Sequence, residues 1–139
     1  MENIKLHYDV IKDDFSCAGE ASGKIKKTLK GLGLDSSLVR NVAIAVYEGE
    51  INMVIHAEGG CIDAEISPDT ITVVLKDVGP GIKDVEKAMQ EGYSTAPENV
   101  RALGFGAGMG LPNIKKYSDE MKIDTVVGEG TTITLKFNI

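Results

Sequence analysis

Apolar and polar positions alternate over residues 3 to 11, with Ile4, Leu6, Tyr8 and Val10 on one side and Lys5, His7 and Asp9 on the other. That period of two predicts a half-buried strand. Asp13-Asp14 then offers a helix N-cap, and Ala18, Ala21, Ile25, Leu29 and Leu32 follow at helical spacing up to Gly31 and Gly33, which stop the helix. Lys24, Lys26, Lys27 and Lys30 read as its solvated face, and His7 reads as a surface strand residue rather than a ligand. A second helix is predicted to start after Asp35 or Ser36 and to end at Gly59-Gly60, with Leu38, Val42, Ala45, Val46, Ile51 and Ile55 on its apolar side. Glu48, Asn52 and His56, four residues apart, form one column along it and border the apolar side.

Residues 61–67 and 71–77 both alternate around Pro68-Asp69, which predicts a hairpin ending at Asp77. Ile82 to Gln90 reads as a short helix and residues 91 to 107 as a loop that could fold over a ligand. Gly108 to Ser118 opens as a helix, and Met121–Val127 and Thr131–Ile139 read as strands joined by Gly128-Glu129-Gly130. Helices and strands do not alternate one for one, which argues against a doubly wound parallel sheet. The expected fold is α+β, a two-layer sandwich in which a mixed, mostly antiparallel sheet carries helices on one face.

The chain has 139 residues, which suits one domain over residues 1–139. A net charge of −6 argues against binding nucleic acid, which needs a basic face. It leaves nucleotide binding open, because backbone N–H groups can hold phosphate in an acidic protein. The two cysteines, Cys17 and Cys61, have neither metal spacing nor the number for a disulfide scaffold, which suggests a reducing, cytoplasmic setting. The N-terminus does not read as a signal peptide, and no apolar run is long enough for a membrane span.

Chemistry concentrates between residues 77 and 111. Asp77-Val78-Gly79-Pro80-Gly81 sets an acidic residue at a strand end before two glycines, suiting one side-chain acceptor held in a tight turn. Gly104, Gly106, Gly108 and Gly110, at alternate positions, suit backbone that approaches a ligand closely with its N–H groups free. The first reading is a nucleotide pocket, with a carboxylate for the base and a glycine-rich turn for the phosphates. The run is neither a P-loop, since Leu111-Pro112 stands where Lys-Ser/Thr would, nor a dinucleotide fingerprint, since the spacing differs and comes late in the chain.

Glu48-x-x-x-Asn52, Asp77-x-Gly79-x-Gly81, Gly104 to Gly110, and Gly130-Thr131 occur in one order that resembles the Bergerat-fold ATPases, the superfamily of gyrase B, Hsp90, the histidine kinases and MutL. Within it, Gly92-Tyr93-Ser94-Thr95, Gly108-Met109-Gly110-Leu111-Pro112 and Gly128-Glu129-Gly130-Thr131 look most like the small serine/threonine kinases of bacterial partner-switching systems, the anti-sigma-factor kinases and switch kinases. The resemblance implies ATP and Mg²⁺ as cofactors. Asp77 would accept from the adenine amino group, with Gly79 and Gly81 letting the loop run under the base and Thr131 binding the adenine side. Asn52 would offer an amide oxygen to Mg²⁺. Gly104, Gly106, Gly108, Met109 and Gly110 would wrap the phosphates, with Thr95 as a further contact; Arg101 is a candidate for the outer phosphates from its loop position and charge alone, beside the plainer reading of a solvated surface arginine. Glu48 would be the catalytic carboxylate.

The implied function is phosphoryl transfer to a serine or threonine of a small antagonist protein. A nucleotide-regulated module that binds a sigma factor or another regulator, and an ATPase, are the alternatives; a homodimer is also open. Glu50 departs from the usual kinase pattern, and its offset from the Glu48 column suggests that it faces outward.

Overall fold

In a computed structural model, residues 3–11, 18–79, 81 and 110–139 are described. They form, in chain order, β1 (Ile4–Val10), α1 (Glu20–Gly31), α2 (Ser36–His56), β2 (Gly60–Ile66), β3 (Thr70–Asp77), α3 (Gly110–Tyr117), β4 (Glu120–Val126) and β5 (Gly130–Asn138). The strands make a sheet of order β1-β2-β3-β5-β4. Every pairing in it is antiparallel, so the mixed sheet expected from the sequence is corrected to a wholly antiparallel one among the described residues. The reason is topological: β2–β3 and β4–β5 are hairpins, and β3 meets β5 antiparallel where the hairpins join.

The alternation of the strands divides the molecule into a core face and an open face. Ile62, Ala64 and Ile66 of β2, Ile71, Val73 and Leu75 of β3, and Ile133, Leu135 and Phe137 of β5 are buried beneath the helices. The residues between them are exposed or half-buried. The expected half-buried strand at residues 3–11 is present as β1, with His7 exposed.

Helix α2 is the centre of the helical layer. Asp35 caps it, its carboxylate accepting from the N–H groups of Ser37 (3.0 Å) and Leu38 (3.3 Å). Buried side chains occur around most of its circumference, among them Val39, Val42, Ala45, Val46, Ile51, Met53 and Val54. Burial on most sides follows from its central place, since α2 packs against α1, α3 and the sheet. Gly49 permits the approach to the sheet: a Cβ there would collide with the Leu75 side chain and lie 3.7 Å from Ile114.

Helix α1 differs from the sequence reading. It begins at Glu20, with Gly19 (φ 92°) as N-cap and no side-chain cap from that position, rather than after Asp13-Asp14, which lies outside the described residues. Its first amides are capped from α2: the Glu50 carboxylate accepts from Ala21 N–H and Ser22 N–H, each at 3.1 Å. Glu50 is 3% exposed, so it faces inward and holds a helix terminus, not outward as its spacing suggested. The lysines behave as expected, with Lys24 paired to Glu20 at 3.2 Å on the exposed side.

Candidate functional site

Strand β3 delivers Asp77 to the edge of the core. The following segment is pinned on two sides. Glu58 N–H donates to Val78 O (2.6 Å) and Val78 N–H to Gly59 O (3.0 Å), which ties it to the end of α2; Gly79 N–H donates to Glu129 O (3.2 Å), which ties it to the β4–β5 turn. The two glycines of this turn are needed for that packing. A Cβ on Gly79 would lie 3.1 Å from Ala57 Cα, and one on Gly81, whose φ is +73°, would lie 2.6 Å from Val126 O. Gly130 serves the same closeness, since a Cβ there would strike the Asp77 carbonyl.

Asp77 itself is half-buried. Its Oδ1 accepts from Thr131 N–H at 2.8 Å, which fixes the carboxylate and leaves Oδ2 for another donor. Burial pushes its pKa up from the usual aspartate value, and the Thr131 bond partly opposes that. Thr131 is buried, and its hydroxyl shares a 2.9 Å hydrogen bond with the Thr125 hydroxyl. Strands β3, β4 and β5 thus meet at one carboxylate with its backbone donor and a paired hydroxyl beside it.

On α2, Glu48 and Asn52 are half-buried one turn apart, as the column predicted. Burial pushes the Glu48 carboxyl above the usual glutamate value, while a hydrogen bond from Asn113 of α3 pulls it back. Asn52 carries a side-chain amide at the same depth, and an amide oxygen is a ligand that a hard cation accepts. Two half-buried carboxylates with raised pKa values, carried on elements that converge, mark a candidate site on physical grounds.

The structure therefore brings Glu48, Asn52, Asp77, Gly79, Gly81 and Thr131 onto connected elements. Gly110 opens α3, which packs on α2. The expectations for Thr95, Arg101, Gly104, Gly106, Gly108 and Met109, the helix at 82–90 and the loop at 91–107 lie outside the described residues, as does most of the glycine run. Asn113 was missed from the sequence. Its only available signal was its place one turn into a helix that opens on glycines.

A helical layer on one antiparallel sheet, with a half-buried aspartate at a strand end before two glycines and Glu-x-x-x-Asn on the central helix, defines the class. Residues 18–137 match the family model for the histidine kinase-like ATPase domain, and the chain belongs to that family. ATP is the nucleotide for which that family is named.

Among individual proteins, the chain is similar to the serine/threonine-protein kinase RsbT of Bacillus subtilis, 32% identical over 112 residues that cover 78% of each chain. It is similar also to the anti-sigma F factor of Clostridium beijerinckii, 33% identical over 109 residues that cover 73% of each. A solved structure of the RsbU and RsbW domains of a Mycobacterium tuberculosis protein shares the fold, with a TM-score of 0.65 at 18% identity. That match covers 96% of this chain and 31% of the other.

Proposed function

We propose that the chain transfers the γ-phosphoryl group of ATP to a serine or threonine of a small antagonist protein in a partner-switching system. Its similarity to a serine/threonine kinase and to anti-sigma factors supports the reading. The observation that carries it is Asp77, half-buried and held through Oδ1 by Thr131 N–H, with an acceptor oxygen left over. A carboxylate accepts and does not donate, so it suits the adenine amino group and opposes the guanine carbonyl.

Asn52 and Glu48 lie on the same helix face as each other, and the site fits a hard cation at the amide oxygen. Mg²⁺ held there would supply charge neutralisation to the phosphates. Glu48, one turn earlier, would accept the proton of the incoming hydroxyl, and Asn113 would hold its carboxylate in place. Gly110 and the glycines before it would meet the phosphates at the start of α3, where N–H groups and the helix dipole favour anions. Thr95 and Arg101 remain candidates for outer contacts. No helix among the described residues is long and apolar enough to cross a membrane, consistent with action on a diffusible partner.

Incubation with γ-labelled ATP, Mg²⁺ and a small antagonist domain bearing a central serine tests the reading. Label on the antagonist is the expected result. Tight, nucleotide-dependent binding of the antagonist or of a sigma factor with no label transferred would favour a regulatory binding module instead.

A further inference from the structure

The open face of the sheet carries a second group of chemistry-bearing side chains, separate from the nucleotide site. Strand β1 sends His7 and Asp9 outward, and β2 sends Cys61 and Asp63 outward, because their neighbours Tyr8, Val10, Ile62 and Ala64 turn toward the core. The antiparallel register sets His7 directly opposite Asp63 and Asp9 directly opposite Cys61. Four potential metal donors thus form a two-by-two array on adjacent strands.

Three of them, His7, Cys61 and Asp63, already converge on one another. The His7 ring meets Asp63 Oδ1 at 2.5 Å through Nδ1 and Asp9 Oδ1 at 3.1 Å through Nε2, and Cys61 Sγ lies 3.8 Å from Asp63 Oδ2. One donor atom each from His7, Cys61 and Asp63 lies within 4.8 Å of the others. Around a tetrahedral zinc ion, donors at the usual bond lengths of about 2.0–2.3 Å stand about 3.3–3.8 Å apart. Small side-chain rotations close that gap, and the side chains have room to make them, being 56% (His7) and 53% (Asp63) exposed.

We infer that His7, Cys61 and Asp63 form a binding site for a borderline divalent transition metal of the zinc type on the open face of the sheet, with the fourth position left to water and with Asp9, on the far ring nitrogen of His7, orienting the imidazole. Imidazole, thiolate and carboxylate are the donor set that such a cation takes, whereas Mg²⁺ and Ca²⁺ prefer oxygen alone. Lys76 stands opposite Cys61 on β3 and offsets the excess negative charge of the ligands. On binding, the protons held by the thiol and the ring leave to solvent. The ion would clasp β1, an edge strand, to β2.

Cobalt titration of the full chain under reducing conditions, without nucleotide, tests this directly. The expected result is one equivalent bound, with a thiolate-to-cobalt charge-transfer band and the intense visible bands of a tetrahedral ion, both displaced by zinc. Zinc should raise the melting temperature, and a chelator should reverse the rise. Cys61→Ser should abolish the charge-transfer band, and His7→Ala should weaken cobalt binding by about tenfold or more, since loss even of outer-shell support costs about that much. Cys17→Ser and Asn52→Ala should leave the band intact, which separates this site from the other cysteine and from the Mg²⁺ position. Far-ultraviolet circular dichroism checks that each variant folds. Absence of the band in the parent protein, its survival in Cys61→Ser, or its loss in Cys17→Ser would overturn the inference. Because the readout involves neither ATP nor transfer, it stands or falls apart from the kinase reading.

Discussion

Asp77 is held in a state that costs the fold something. Its carboxyl is raised by burial, so the folded protein binds that proton more tightly than the unfolded chain does. The sign follows from linkage: as pH rises from the ordinary aspartate value through the raised one, this group takes stability away. Asp77→Asn removes the buried charge yet keeps an oxygen for Thr131 N–H. At neutral pH the variant is expected to melt at the same temperature as the parent or higher, while ATP binding weakens by about 1–3 kcal/mol, the scale for loss of a charged hydrogen-bond partner. Calorimetry and thermal melting of the same samples check both halves. A variant less stable than the parent with ATP affinity intact would make Asp77 a structural residue. Equal parental affinity for ATP and GTP would remove its role in reading the base.

The elements show where sequence reading succeeds and where it stops. The strands β1, β2, β3 and β5 were legible because one face of β2, β3 and β5 is buried and one face of β1 is partly so, which imprints a period of two. The start of α1 was not. Asp13-Asp14 offers a local cap signal, but the first amides of the helix are met by Glu50, 29 and 28 residues further along the chain. A cap supplied by another helix leaves no mark at its own terminus. The same limit hid Asn113, which matters through contact with Glu48 and not through spacing, and hid the partners of His7, which lie across a strand pair.

Glu50 therefore belongs to the account of stability and not to that of the phosphates. Glu50→Ala leaves two buried amide donors unmet at a helix N-terminus, and should destabilise the fold by about 1–3 kcal/mol. Urea unfolding measures the loss. A change under about 0.5 kcal/mol, the scatter of ordinary surface substitutions, would show that the cap contributes nothing.

At the scale of the whole molecule, the helical layer and the sheet divide the proposed work. Helix α2 carries Glu48 and Asn52 and is fixed by contacts with α1, α3 and the sheet. Strands β3 and β5 carry Asp77 and Thr131, which hold one another by a 2.8 Å bond. The α+β architecture with helices on one face, and the motif order Glu48, Asn52, Asp77, Gly79, Gly81, Gly110, Thr131, were readable from the sequence because Glu48 and Asn52 keep helical spacing while the later motifs sit where an element ends or turns. That the two carboxylates are both half-buried and raised was not readable, because burial is a property of the assembled layers.

The central claim is that Glu48 acts on the proton of an incoming hydroxyl rather than on the fold. Single-turnover transfer from γ-labelled Mg-ATP to the antagonist serine, compared between the parent and Glu48→Gln, tests it most directly. The glutamine keeps the size of the side chain and can still bond Asn113. With ATP affinity measured on the same protein and found little changed, transfer should fall by about 10²–10⁴-fold, the usual contribution of a general base. Transfer at the parental rate would contradict the account and leave Glu48 as a side chain that only joins α2 to α3.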